Sequence, residues 1–232
     1  MKQNLLRRAV AEFTGTLFLL ATVVGSGIMA ERLSGGNVAI ALLANSLATG
    51  AALIALILAF GPISGAHLNP AVTLADAWMG GIAWRETPVY LAAQLAGAFA
   101  GVAAAHLMFG LPVLMASTHA RTGPAQIFSE FIATFGLLAV IWGCVRARPS
   151  AVPFAVGSYI VAAYWFTSST SFANPAVTVA RSLTDTFAGI RPTDVAPFVG
   201  AQLAGAFAAT VLFRWLLRSR ESDASAVLLK HD

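Results

Sequence analysis

The chain has 232 residues, of which 58% are hydrophobic and only 10% charged, and its mean hydropathy is +0.77. Soluble domains carry about 25% charged residues, so the composition excludes a soluble globular protein and indicates an integral membrane protein. The net charge of +4 comes from Lys and Arg in short connections and at the chain ends. This distribution is typical of membrane-flanking charge, and we expect no nucleic-acid partner.

Six apolar runs are long enough to cross a bilayer once tilt and the interfaces are allowed for. They cover residues 9–30, 38–60, 88–109, 127–145, 152–169 and 195–217. Two shorter runs, residues 70–79 and 175–184, have roughly half of the ~20 residues that a full span needs. The sequence therefore predicts an all-α membrane protein with six transmembrane helices and two half-helices.

Internal duplication sets the order of these elements. The letters at 11–16 recur in similar form at 129–134, and those at 93–100 recur unchanged at 201–208. Each half then reads span, span, half-helix, span, and an odd number of spans inverts the second half in the membrane. The predicted organisation is a first inverted repeat at 1–112, an outer connection at 113–126, a second repeat at 127–218 and a cytoplasmic tail at 219–232.

The positive charges predict the orientation. With both termini in the cytoplasm, ten of the 14 Lys and Arg residues fall inside and four fall outside. The four are Arg32, Arg121, Arg181 and Arg191. This excess favours cytoplasmic termini. The half-helices then enter from opposite faces and meet near the midplane.

Both half-helices begin with Asn-Pro-Ala, at Asn69, Pro70 and Ala71 and again at Asn174, Pro175 and Ala176. Asn is a good N-cap and Pro suits the first helical position, so an ordinary cap worth ~1 kcal/mol is one interpretation. A helix start inside a membrane is tolerated only where it is buried in protein or lines a water-filled cavity. We therefore favour a second role, in which the Asn amides donate hydrogen bonds to solutes in a pore.

Three further polar residues lie inside or next to apolar runs. Glu12 and Glu130 could form a proton relay, the usual hypothesis for an intramembrane carboxylate, or could brace the loops before the half-helices. We favour the brace. His67, two residues before Asn69, is either a ligand or a further loop brace. Cys144 is the only cysteine and lies in an apolar run, so neither a disulfide nor a thiolate metal site is predicted.

These motifs resemble the aquaporin, or major intrinsic protein, superfamily over nearly the whole chain. The resemblance rests on residues 64–73, the second Asn-Pro-Ala, the Glu-Phe-x-x-Thr openings at Glu12 and Glu130, and the helices that carry Gln94 and Gln202. The second motif is similar to that of bacterial aquaglyceroporins found beside arsenic-resistance genes. The resemblance implies the aquaporin fold in a bacterial inner membrane, a homotetramer with one pore per subunit, and no cofactor. It also implies that backbone carbonyls near His67 line the inner half of the pore.

Family filters usually combine an Arg three residues after the second Asn with aromatic or His partners. Counting along this chain places the four positions at Thr49, Ala162, Ser171 and Val177, none of them charged or aromatic. A wide and weakly polar constriction is therefore expected. Arg181 lies one turn beyond Val177 on the same face, where it either lines the outer vestibule or ends the helix.

The leading interpretation is a passive channel for small uncharged solutes: glycerol-like polyols, metalloid acids such as arsenite, methylated arsenicals and water. A secondary transporter is one alternative, because inverted repeats with broken helices also occur in transporters. A non-conducting structural member of the same fold is another. An enzyme has no support, since the sequence shows no nucleophile–base pair, phosphate loop or metal-ligand cluster.

Overall fold

The computed structural model describes the backbone of residues 4–228 and the side chains of residues 4–217, and within that range every regular element is helical. The eight α-helices are α1 (Leu5–Leu33), α2 (Val38–Ser64), α3 (Pro70–Met79), α4 (Thr87–Phe109), α5 (Pro124–Ala147), α6 (Val152–Phe166), α7 (Pro175–Ala180) and α8 (Pro192–Leu228). Short 3₁₀ turns cover Pro149–Ala151 and Arg181–Leu183. The predicted fold class is confirmed.

Five of the six long helices are long and apolar enough to cross a membrane: α1, α2, α4, α5 and the Pro192–Leu217 part of α8. The sixth, α6, has 15 residues and ends at Phe166, three residues before the predicted end of its span. The polar run Thr167-Ser168-Ser169-Thr170 leaves the helix and leads into the second Asn-Pro-Ala segment. Its hydroxyls bond to nearby backbone and side chains, which competes with helix formation.

Other predicted boundaries also shift. The first half-helix has the expected bounds, whereas α7 ends at Ala180 and only a 3₁₀ turn continues to Leu183. Helix α5 begins at Pro124, inside the predicted connection. Helix α8 runs past residue 218 to Leu228, so the predicted tail begins as helix, and residues 229–232 lie outside the described residues.

The two halves pack in equivalent ways. In the first, α1 lies against α2 and α4; in the second, α5 lies against α6 and α8. Both α1–α4 and α5–α8 meet at a glycine: a Cβ on Gly97 would collide with the carbonyl oxygen of Phe13, and one on Gly205 with that of Phe131. The matching contacts follow from the duplicated sequence, because small residues let helix backbones approach closely.

Helices α2 and α6 join the halves at Gly50 and Gly157, where each glycine approaches the carbonyl oxygen of the other. The connection between the repeats, residues 111–123, runs along the end of α7. Met115 N–H donates to the Leu183 carbonyl at 3.1 Å, and Arg191 N–H donates to the His119 carbonyl at 2.7 Å. This connection therefore packs against the segment between α7 and α8.

Replacing Gly97 with Ala should destabilise the fold, because the added methyl group meets the Phe13 backbone in the α1–α4 contact. Overpacking of this kind costs about 1–3 kcal/mol. The matched control is Gly61→Ala in α2, where an added Cβ meets nothing within 4 Å. We expect Gly97→Ala to lower the folded yield and the melting temperature in detergent and Gly61→Ala to do neither. Equal melting temperatures would show that the glycine contact is unimportant.

Candidate pore

The two half-helices start opposite each other, and their capping side chains link them. Asn69 Oδ1 accepts a hydrogen bond from Ala71 N–H at 2.9 Å, and its Nδ2 donates to the Ala173 carbonyl at 2.8 Å. Asn174 Oδ1 accepts from the N–H groups of Ala176 and Val177 at 3.0 and 3.3 Å, and its Nδ2 donates to the Leu68 carbonyl at 2.8 Å. Each Asn therefore caps its own helix and holds the backbone that precedes the other.

This arrangement leaves one donor on each amide. A side-chain amide carries two N–H groups, and each Asn Nδ2 makes one hydrogen bond in the described chain. Both Asn residues line an internal cavity. Pro70 and Pro175 occupy the first helical positions, where the missing N–H removes a donor that would otherwise need a partner. The caps thus present two donors to whatever occupies the cavity.

Glu12 braces the segment before α3. Its Oε1 accepts from Ser64 Oγ at 2.6 Å and His67 N–H at 3.0 Å, and its Oε2 accepts from Leu68 N–H at 2.7 Å and Gln94 Nε2 at 2.8 Å. The side chain is fully buried. A buried carboxylate with four donors replaces its lost hydration by fixed hydrogen bonds. Gln94 also donates to Thr73 in α3, which ties the loop and the helix to α4.

Glu130 holds the second segment in the same way. Its Oε1 accepts from Phe172 N–H at 2.9 Å, and its Oε2 accepts from Ala173 N–H at 2.9 Å and Gln202 Nε2 at 2.6 Å. Gln202 donates in addition to Thr178 Oγ1 at 2.8 Å. The two carboxylates therefore perform equivalent tasks in the two repeats.

The braced segments are strained. Among the described residues, the non-glycine residues with positive φ all lie just before the half-helices: Ala66, Leu68, Thr170, Ser171 and Ala173. Such a conformation costs about 1–3 kcal/mol per residue and persists only where the surroundings enforce it. The carboxylate and amide hydrogen bonds supply that enforcement.

The cavity has a volume of about 280 Å³ and touches both Asn-Pro-Ala segments. It reaches Asp76 and Val145 at one end, which we call the α3 end, and Arg181 at the other, the α7 end. One part of its lining consists of residues 65–69 and 171–174, the segments that lead into the two half-helices. The rest is largely aliphatic and comes from α1, α2, α3, α5, α6 and α7: Leu19, Val23, Leu53, Ile57, Val72, Leu137, Ile141, Val156, Ile160 and Val177.

Three of the four predicted filter positions, Thr49, Ser171 and Val177, line this cavity. Ala162 does not: its side chain is exposed on the outside of α6, so that position is wrong. Tyr164, two residues on, lines the cavity instead, and its hydroxyl lies 3.3 Å from Thr49 Oγ1. Because each helical residue turns about 100°, an error of two residues selects nearly the opposite face.

Arg181 lines the α7 end of the cavity and is 2% exposed. Its Nε donates to the Ala188 carbonyl, and its guanidinium carbon lies 3.4 Å from the centroid of the Phe172 ring. The four predicted filter positions are neither charged nor aromatic, whereas the lining at this end also includes the aromatic Tyr164 and the charged Arg181. Arg181 therefore lines the cavity, and it is also the C-cap residue of α7, so both alternatives that the sequence left open describe it.

Arg121, from the connection between the repeats, lies beside the same ring, with its guanidinium carbon 5.0 Å from the Phe172 centroid. It donates to the carbonyls of Gly189, Ser169 and Phe187 and to Thr170 Oγ1. The sequence predicts for Arg121 only a place on the outer side of the membrane. The only available signal was a lone Arg between two hydrophobic repeats, and that signal does not place it in space.

His67 lies at the other end of the cavity and also serves as a brace. Its Nδ1 is 3.2 Å from Thr73 Oγ1, its Nε2 is 3.6 Å from an Asp76 carboxylate oxygen, and its backbone N–H donates to Glu12. In the part of the chain that the structure describes, no three His, Cys, Asp or Glu side chains lie together as a metal site would require.

A bundle of spanning helices around a cavity, with two capped half-helices meeting inside it, defines a membrane channel. Residues 1–171 match the family model described as major intrinsic protein, so the chain belongs to the major intrinsic protein family. It is 57% identical over 215 residues to the aquaglyceroporin AqpS of Rhizobium meliloti (strain 1021), covering 93% of this chain and 92% of that relative.

A plant relative, aquaporin NIP1-4 of Oryza sativa subsp. japonica, is 35% identical over 224 residues, covering 91% of this chain and 79% of the relative. The X-ray structure of the aquaglyceroporin from Plasmodium falciparum has the same fold: TM-score 0.70, 24% identity, and coverage of 91% of this chain and 95% of that one. The chain is accordingly a multi-pass membrane protein and a passive channel for small uncharged solutes, not an enzyme.

Replacing Glu130 with Gln should lower the folded yield more than it changes solute selectivity. The Gln amide has an NH₂ group in place of one carboxylate oxygen, so at least one of the three groups that donate to Glu130 would face another donor and lose its hydrogen bond. Each lost hydrogen bond to a charged group is worth about 1.5–3 kcal/mol. Glu31→Gln, at an exposed position, is the matched control. Yield and melting temperature in detergent are measured beside flux in vesicles. Normal yield with lost, formerly pH-dependent flux would instead indicate a proton relay.

Proposed function

We propose that this channel conducts glycerol-sized polyols and hydroxylated metalloid acids such as arsenite, and water with them. The observation that carries the proposal is the two-sided cavity, with Asn69 and Asn174 donors on its polar side and aliphatic side chains on the rest. A polyol has the same two sides, hydroxyls and C–H groups. The relative from Rhizobium meliloti, named an aquaglyceroporin, supports this substrate class.

The filter in this proposal consists of Thr49, Ser171, Val177 and Tyr164. Val177, where family filters usually carry Arg, adds neither charge nor hydrogen-bond donor, so the opening gains width. The hydroxyls of Thr49, Ser171 and Tyr164 provide the polar contacts, and Arg181 adds a cation one turn further on. A filter of this kind suits solutes larger than glycerol, including methylated arsenicals.

Two alternatives, a secondary transporter and a non-conducting structural protein, are less compatible with the observed contacts. A secondary transporter needs a coupling group that changes partners during transport, whereas Glu12 and Glu130 are engaged by four and three donors from the loops and helices around them. A non-conducting structural role does not account for a cavity that both Asn residues line. Flux that is independent of ion gradients would distinguish the channel from a transporter.

We further infer that the protein lies in a bacterial inner membrane with both termini in the cytoplasm, since ten of the 14 Lys and Arg then lie inside. The α7 end of the cavity then faces outward. The proposed organisation is two inverted repeats, 1–112 and 127–218, with one pore per subunit of a homotetramer. Cross-linking in native membranes tests the oligomeric state.

The channel should pass glycerol and still exclude protons. Two helix N-termini, α3 and α7, meet at Asn69 and Asn174, and their partial positive charges oppose a cation while leaving neutral solutes unaffected. In reconstituted vesicles we expect glycerol flux well above that of protein-free vesicles, with proton leak close to the protein-free level. Proton conductance comparable to that of a gramicidin control would contradict this mechanism.

Val177→Arg should reduce the uptake of large solutes most. A long planar cation at this lining position narrows the opening, and a few kcal/mol of added barrier corresponds to about ten- to hundredfold at ~1.4 kcal/mol per decade. The assay compares uptake of glycerol, arsenite and a methylated arsenical at equal membrane abundance. Val113→Arg, at an exposed position outside the cavity lining, is the control. An unchanged ratio of large to small solute uptake would remove Val177 from the filter.

A further inference from the structure

Two arginines lie at the α7 end of the cavity, and neither is paired with a carboxylate in the described chain. Arg181 is buried in the cavity lining, and Arg121 is half-buried against the Phe172 ring. All four acceptors of the Arg121 guanidinium are neutral: the Gly189, Ser169 and Phe187 carbonyls and the Thr170 hydroxyl. The Arg181 guanidinium has one protein acceptor, the Ala188 carbonyl. A buried charge without an ion-pair partner is costly, so an anion in contact with the Arg181 guanidinium would be stabilised.

The two arginines differ in how many of their guanidinium N–H groups remain available to a ligand. The Arg121 guanidinium donates through Nε, Nη1 and Nη2, which fixes it in the wall. Arg181 uses only Nε, and no described residue accepts from its two Nη groups. Because Arg181 lines the cavity, these groups are donors for a bound molecule. Its guanidinium carbon lies 3.4 Å from the Phe172 ring centroid, so the group is held against that ring.

Ser171 provides a second and independent observation. Its Oγ is buried and has no hydrogen-bond partner in the described chain, although the residue lines the same cavity. A buried unsatisfied hydroxyl costs about 1–3 kcal/mol. Ser171 is held at φ 51° by a hydrogen bond from its N–H to Ser169 Oγ, and it immediately precedes Phe172, on whose ring Arg181 stacks. The hydroxyl therefore lies in the same region as the Arg181 donors and lacks an acceptor there.

We propose that Arg181 and Ser171 form a binding subsite for a small monovalent carboxylate at the α7 end of the pore. The inference rests on the proposed function, since it takes this cavity as the path of neutral solutes. A planar guanidinium matches the two oxygens of a carboxylate, and the Ser171 hydroxyl adds a third donor. The bound anion also neutralises charge that the chain leaves unpaired.

The anion is held at this subsite and does not pass through. Beyond Arg181 the described lining of the cavity contains no further Arg or Lys, and the Asp76 carboxylate at the α3 end repels an anion. The neutral hydroxyl and amide donors between them replace only part of an anion's hydration. A carboxylate that occupies the subsite therefore obstructs neutral solutes, and the expected consequence is competitive block of glycerol flux.

The test measures glycerol efflux from vesicles that contain the purified protein, at neutral pH, with equal sodium formate on both sides. A bulky sulfonate keeps the ionic strength constant. Formate should inhibit the flux with half-inhibition at about 1–10 mM, the range of a single charge-assisted contact partly open to water. Arg181→Gln should raise the half-inhibitory concentration at least tenfold, and Ser171→Ala should raise it severalfold.

Arg32→Gln is the matched control, because Arg32 is an exposed arginine at the end of α1, next to the connection between the repeats. It should keep the wild-type inhibition. The proposal fails if formate has no effect on the wild type, if Arg181→Gln keeps the wild-type inhibition, or if Arg32→Gln loses it equally. If Arg181→Gln does not reach the membrane, an unchanged half-inhibitory concentration in Ser171→Ala overturns the proposal.

Failure of the proposed function gives a different result, namely no glycerol flux above protein-free vesicles even without formate. The subsite is then tested by binding alone. Formate should raise the melting temperature of the wild-type protein in detergent, because a ligand of the native state stabilises it by mass action. Formate should raise the melting temperature of Ser171→Ala less than that of the wild type. An equal rise in both proteins would contradict the subsite.

Discussion

The structure depends on one constraint: two helices begin in the apolar interior, where backbone N–H groups have no water to bind. Two buried carboxylates resolve it. Glu12 accepts the N–H groups of His67 and Leu68, and Glu130 accepts those of Phe172 and Ala173. Without these acceptors each N–H would carry the cost of an unsatisfied buried donor. The left-handed residues before both half-helices are stable only because these hydrogen bonds hold them.

The same hydrogen bonds decide what the pore presents to a solute. No described peptide bond is cis, and in a trans peptide the carbonyl points away from the N–H of the next residue. N–H groups directed at Glu12 and Glu130 therefore turn the carbonyls of Ala66, His67, Ser171 and Phe172 away from the carboxylates, and these segments line the cavity. Acceptors from the backbone and donors from the two Asn amides thus arise from a single arrangement, which suits hydroxylated solutes.

The sequence predicted the parts of this arrangement that local pattern and duplication determine. The Asn-Pro-Ala starts and the pairing of each Glu with its half-helix loop recur in both repeats, so each half supports the interpretation of the other. The remainder depends on rotation and long-range packing. A count along α6 gave Ala162, yet Tyr164 lines the cavity, because a helix changes face within two residues. Arg121 reaches Phe172 from a connection with no periodic pattern, and nothing local to its sequence could show that contact.

The duplication also shows how one fold produces a pore with two different ends. Asp76 and Arg181 each lie seven residues after the Asn of their half-helix, and both line the cavity. His67 and Phe172 each lie two residues before it, so the α3 end has a His–Asp contact at 3.6 Å where the α7 end has an Arg stacked on Phe at 3.4 Å. An ion of either sign meets an attractive side chain at one end and a repulsive one at the other. A neutral solute meets neither barrier, so the charge difference between equivalent positions reinforces the selectivity that the two half-helix N-termini begin.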